Sequence, residues 1–101
     1  MTSMNHEEAA KKLAELGHST RLSIYRLLVK AGSNGLAVSE LQQALDIPNS
    51  TLSHHISRLV NAGLMQQQRE GRVLRCNAIY PALTSLVSFL TEECCTDSGC
   101  Q

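Results

Sequence analysis

The stretch SELQQALDIPNSTLSHHISRLVNAG, residues 39–63, decides the fold. Its first part, Ser39 to Leu45, reads as a short helix with Leu41, Ala44 and Leu45 on one face. Asp46-Ile47-Pro48-Asn49 then interrupts it, because a residue that precedes proline is pushed out of the α region. Asn49 or Ser50 is placed to cap a second helix running from about Ser50 to Ala62 and stopped by Gly63. With successive residues turned by about 100°, Leu52, Ile56, Leu59 and Val60 fall on one side of that helix. Ser50, His54, Ser57, Arg58 and Asn61 lie opposite, with Thr51 at the flank. One side is therefore core, and the other is a ridge of hydrogen-bonding groups.

Downstream, Leu64 to Arg69 and Arg72 to Ile79 read as two strands around a Glu70-Gly71 hairpin loop. A last helix follows Pro81, with Leu83, Leu86, Val87 and Leu90 forming a stripe at helical spacing. Upstream, Asn5 and Glu8 have the spacing of a capping box ahead of Ala9, Leu13 and Leu16. Ser19 or Thr20 is expected to cap a second helix carrying Leu22, Ile24, Leu27 and Leu28, which ends at Ala31-Gly32-Ser33-Asn34-Gly35. The expected order is α-α-α-α-β-β-α, a mainly α chain with one β-hairpin (α+β).

The 101 residues suffice for one domain but not two, so any sensing device must be built onto the same unit: residues 1–101 are one domain, with 94–101 as a cysteine-rich tail. One Phe, two Tyr and no Trp leave few rings on which to stack bases, which argues against a single-strand platform. Net charge is zero, yet Arg58, Arg69, Arg72 and Arg75 cluster centrally while Glu7, Glu8, Glu15, Glu92, Glu93 and Asp97 lie towards the ends. No apolar run approaches the roughly 18 residues that span a bilayer, and Met1 to Glu8 is unlike a signal peptide, so a cytoplasmic protein without a membrane partner is expected. No general base, nucleotide loop or paired carboxylates mark an enzyme or a cofactor site.

A short helix, a tight turn, a two-faced second helix and an arginine-rich hairpin make a winged helix-turn-helix. The first helix props the second so that its amino-terminal residues enter the major groove of duplex DNA, where hydroxyl, imidazole and guanidinium groups meet base edges. Ser50, Thr51, Ser53, His54 and Arg58 are the candidate readers. Arg69, Arg72 and Arg75 would reach phosphates or a minor groove from the wing. His54 and His55 are adjacent and point about 100° apart, so they do not chelate one ion together, and His55 is expected at the core boundary.

Ser19-Thr20-Arg21-Leu22, Leu52-Ser53-His54-His55-Ile56, Asn61-Ala62-Gly63-Leu64 and Arg69-Glu70-Gly71-Arg72 together resemble the ArsR/SmtB family of metalloregulatory repressors, over residues 8 to 92. The resemblance implies a homodimer in which the first and last helices pair across a two-fold axis, and an operator with inverted half-sites. One departure is His18-Ser19, where the family often has Asp-Pro.

Cys94-Cys95-Thr96-Asp97-Ser98-Gly99-Cys100 can bring three soft donors together. Trivalent arsenic or antimony takes three thiolates in a pyramid, whereas structural zinc normally wants four ligands. The cluster resembles that of family members whose three arsenite ligands lie at the end of the last helix, which makes As(III) or Sb(III) on Cys94, Cys95 and Cys100 the expected inducer. Another thiophilic metal, a redox response or a passive tail are the alternatives. Glu92, Glu93 and the helix carboxyl end disfavour thiolate at Cys94 and Cys95, which argues against an activated nucleophile. Cys76 shares strand parity with Leu74 and Ala78 and is expected to be a small buried side chain.

Overall fold

The computed structural model describes residues 4–97. Its helices are α1 (His6–Leu16), α2 (Ser19–Ala31), α3 (Val38–Leu45), α4 (Asn49–Asn61) and α5 (Tyr80–Thr91). A 3-10 turn (Gly32–Asn34) and β1 (Leu36–Ala37) link α2 to α3, and β2 (Met65–Glu70) and β3 (Val73–Ala78) form the hairpin between α4 and α5. The sheet is antiparallel in the order β1-β3-β2. This is the winged helix-turn-helix expected from the sequence, with one added strand: β1 pairs Leu36 with Cys76 and Ala37 with Arg75. Two residues are too few to show an alternation, so β1 leaves no period-2 signal.

Asn5 caps α1 as expected, its Oδ1 accepting from the Glu8 backbone N–H at 2.8 Å. The other two caps differ from expectation. His18, not Ser19 or Thr20, precedes α2, its Nδ1 accepting from the Thr20 N–H at 3.2 Å and doing the work of a capping oxygen. Pro48, not Asn49 or Ser50, is the N-cap of α4: its extended ψ of 147° turns the chain, and no side chain bonds to the helix start. The turn before it is held by Asp46 in the left-handed region, whose N–H donates to Gln42 O at 2.7 Å.

The hairpin loop is shifted by one residue from the expected Glu70-Gly71. Glu70 pairs with Val73, which leaves Gly71-Arg72 as the loop. Gly71 has φ +64° and Arg72 is not among the positive-φ residues, so the glycine takes the first loop position, the requirement of a II′ turn. The core is aliphatic: Ile24 and Leu28 of α2, Leu41 of α3 and Leu52 and Leu59 of α4 meet Leu64, Met65 and Cys76 from the wing. Cys76 is wholly buried, as its parity required, and burial pushes its thiol pKa up. Tyr80 anchors α5, its hydroxyl donating to the carbonyls of Leu28 and Val29 at 3.2 and 2.9 Å.

Candidate nucleic-acid interface and thiol cluster

Leu52, Ile56 and Leu59 bind α4 to the core, which turns Ser50, Thr51, Ser53, His54, Ser57, Arg58 and Asn61 to solvent. Val60, expected on the inner side, is partly exposed at the edge. The amino end of α4 adds a second feature. Its first backbone N–H groups have no partner within the helix and no side-chain cap, so they form a donor cluster that suits an anionic oxygen such as a DNA phosphate. The hydroxyls of Ser50, Thr51 and Ser53 and the ring of His54 surround that end.

The arginines fall into two groups. Arg69 and Arg72 are exposed on the wing. Arg75 is half-buried and committed within the protein, its Nε donating to Glu70 Oε1 at 2.9 Å and its Nη1 to Asn34 O at 3.2 Å. Arg58 also has an internal partner: its Nε donates to Glu15 Oε1 of α1 at 2.9 Å.

Beneath the ridge lies a polar cluster that the sequence reading missed. Glu15, Arg21 and His55 are only 8%, 9% and 7% exposed. Arg21 Nε lies 3.3 Å from Glu15 Oε1 and donates to the Glu15 carbonyl at 2.8 Å. Arg21 Nη1 donates to His55 Nδ1 at 3.1 Å, which fixes a neutral imidazole with its proton on Nε2, since a guanidinium has no acceptor. The His18 ring stands 4.7 Å from that of His55, and the His54 ring 5.7 Å. His55 is therefore a core residue and not a boundary one.

Burial, with His18, Arg21 and His54 alongside, holds the His55 pKa below its ordinary value of 6.5. The Arg58 hydrogen bond holds Glu15 below its ordinary 4.5, against the opposing effect of burial. Both depressions have the same sign for stability. The unfolded chain binds the proton more readily, so stability is full above the unfolded pKa and is lost as pH falls through the folded one. The midpoint of urea unfolding should therefore fall between pH 7.5 and 5.5 through His55, and fall again below about pH 4.5 through Glu15. His55→Gln, which can still accept from Arg21, should remove much of the first loss. Equal wild-type midpoints at pH 7.5 and 5.5 would contradict the assignment.

At the far end of the chain α5 stops at Thr91, whose hydroxyl donates back to the Val87 carbonyl at 3.0 Å. The turn that follows exposes Cys94 and Cys95, with their Sγ atoms 3.2 Å apart. Cys95 is disulfide-bonded, so a metalloid could take its sulfur only after reduction. Cys100, the third expected ligand, lies outside the described residues. Among the described residues no group of three or more His, Cys, Asp or Glu side chains is placed to hold a metal ion, and no helix is long and apolar enough to cross a membrane.

The helix-turn-helix domain family matches residues 16–68 of this chain. An HTH-type transcriptional regulator from Methanocaldococcus jannaschii is 36% identical over 66 residues, which are 65% of this chain and 72% of that protein. A Halobacterium salinarum protein, provisionally named as the arsenical resistance operon repressor ArsR, is 38% identical over 60 residues, 59% of this chain and 46% of its own length. The solved structure of an ArsR-like transcriptional regulator from a Rhodococcus species superposes with a TM-score of 0.73 at 26% identity, covering 84% of this chain and 77% of the other. These relatives are regulators of transcription, not enzymes.

Proposed function

Because the chain belongs to the helix-turn-helix transcriptional repressors of the ArsR family, we propose that it is released from its operator by trivalent arsenic or antimony held on Cys94, Cys95 and Cys100. The observation that carries this reading is the pair of sulfurs 3.2 Å apart at the exposed end of α5, with a third cysteine five positions further on. Once reduced, three thiols condense with arsenous acid to an arsenic tris-thiolate and three waters, and each sulfhydryl proton leaves with a hydroxyl of the acid. The arsenical name of the Halobacterium protein agrees with this choice of inducer.

The free dimer docks the amino end of α4 in the major groove. Ser50, Thr51, Ser53 and His54 meet base edges, the uncapped backbone N–H groups take a phosphate, and Arg69 and Arg72 take flanking phosphates. Inverted half-sites follow from the two-fold axis of such a dimer. Closing three thiols on one ion just past α5 shifts how the protomers sit. A coupling of about 1 to 3 kcal/mol then weakens the operator complex by roughly 5- to 150-fold.

Cys95→Ser tests the sensor. In reducing buffer the variant should hold operator DNA as the wild type does and no longer let go when arsenite is added; release that persists would rule the site out. A second reading, redox control through the same sulfurs, is favoured by the disulfide at Cys95 and the Cys94 sulfur within exchange distance of it. Release by oxidant alone, with reduced protein indifferent to arsenite, would select that reading.

A further inference from the structure

Among the described residues, the carboxylate of Glu15 is the point at which α1, α2 and α4 are joined by charge. It projects from the last turn of α1 with its side chain only 10% exposed. A buried carboxylate is costly unless paired, and two guanidiniums pair it: Arg21 from α2 and Arg58 from α4, with Nε to Oε1 distances of 3.3 and 2.9 Å. Arg21 continues the chain of contacts into α4 a second time, through His55. So α4 is held at two points about one turn apart: His55, next to the reader His54, and Arg58, three residues beyond His55.

We propose that Glu15 is a positioning residue for DNA reading, holding Arg58 and Arg21 so that α4 is presented at one fixed rotation, and that Arg58 acts through this tie and not by touching DNA. The inference rests on the reading of α4 as the DNA-docking helix. Its physical content is geometric. Reader atoms stand roughly 6 Å from the helix axis, so a 20° roll of α4 displaces them by about 2 Å. Hydrogen bonds to base edges tolerate a few tenths of an ångström, whereas phosphate attraction hardly notices such a shift. Loosening the tie therefore costs sequence recognition and spares non-specific adhesion.

The full-length protein, Glu15→Gln, Arg58→Met and the double variant should be compared by fluorescence anisotropy. The probes are a duplex selected by the wild type from a randomised pool and a scrambled duplex of equal length, each titrated at 50 to 200 mM salt. Each single variant should bind the selected duplex about tenfold more weakly and the scrambled one as before. The double variant should be no worse than the weaker single one, and the salt slopes should be unchanged. The proposal is overturned if Arg58→Met weakens both duplexes alike and makes the logarithmic salt slope shallower by about 0.9 per protomer, the mark of a lost phosphate contact. It is overturned equally if the two losses multiply in the double variant. Should Glu15→Gln not fold, Arg58→Met alone decides, since its guanidinium is half-exposed and its removal leaves Arg21 to pair Glu15. A wild type that enriches no sequence from the pool takes down the DNA-reading assignment together with this one.

Discussion

Gly35→Ala should destabilise the fold by about 3 to 5 kcal/mol, a fall of roughly 15 to 30 °C in melting temperature for a domain of this size. Gly35 has φ +62° and ψ −167°, a region that residues with a Cβ avoid at a cost of about 1 to 3 kcal/mol. A Cβ there would also stand 2.3 Å from the Cys76 carbonyl and 2.6 Å from Asn77 Nδ2. The first of these is backbone, locked into the Leu36–Cys76 pairing, and cannot step aside. Asn77 is held too, donating to the Ser33 carbonyl at 3.0 Å. Relief requires β1 to leave β3, which unseats the entry to α3. Gly71→Ala is the matched control: its φ of +64° carries a backbone cost, but nothing lies within 4 Å of the added methyl. A loss of about 1 to 2 kcal/mol is expected there. Similar melting temperatures for the two variants, read by circular dichroism, would show that the close approach at Gly35 does not matter.

The second large effect is expected at the face shared by α1 and α5. Val87 and Leu90 are 52% and 57% exposed and Leu13 is 40% exposed, on two helices that touch each other. His6 and Phe89 make an edge-on ring contact at 6.2 Å across the same seam. Apolar side chains exposed together on one surface call for a partner, and a two-fold dimer places each of them in the interface twice. In the dimer proposed above, replacing Val87 and Leu90 together by Asp should therefore leave a monomer in sedimentation velocity. Two linked half-site contacts become one, and affinity for a two-half-site duplex should fall by about 100- to 10,000-fold. A doubly substituted protein that stays dimeric would move the interface elsewhere.

Much of this architecture was legible in the order of residues, because it is set by local rules. The apolar positions 52, 56 and 59 orient α4, Asn5 and Glu8 start α1, and the parity of Cys76 buries it in the wing. What escaped depends on residues far apart in the chain. His55 reads as a core-boundary residue until Arg21, 34 positions away, supplies the partner that lets it be buried. Arg58 looks like a DNA contact until Glu15, 43 positions away, claims it. The caps of α2 and α4 escaped for another reason: at α2 an imidazole accepts the bond that serine or threonine usually takes, and at α4 a proline sets the turn with no side-chain cap at all. The hairpin was placed one residue early because Glu-Gly and Gly-Arg are both acceptable loops, and only the pairing of Glu70 with Val73 chooses between them.

The most direct measurement is the anisotropy of a labelled duplex titrated with the reduced protein at low salt, followed by arsenite at saturation. The expected result is a rise in anisotropy that shrinks as salt is raised and collapses when arsenite is added. A duplex whose anisotropy never rises, even at low salt, would contradict the docking of α4 on DNA and everything built upon it.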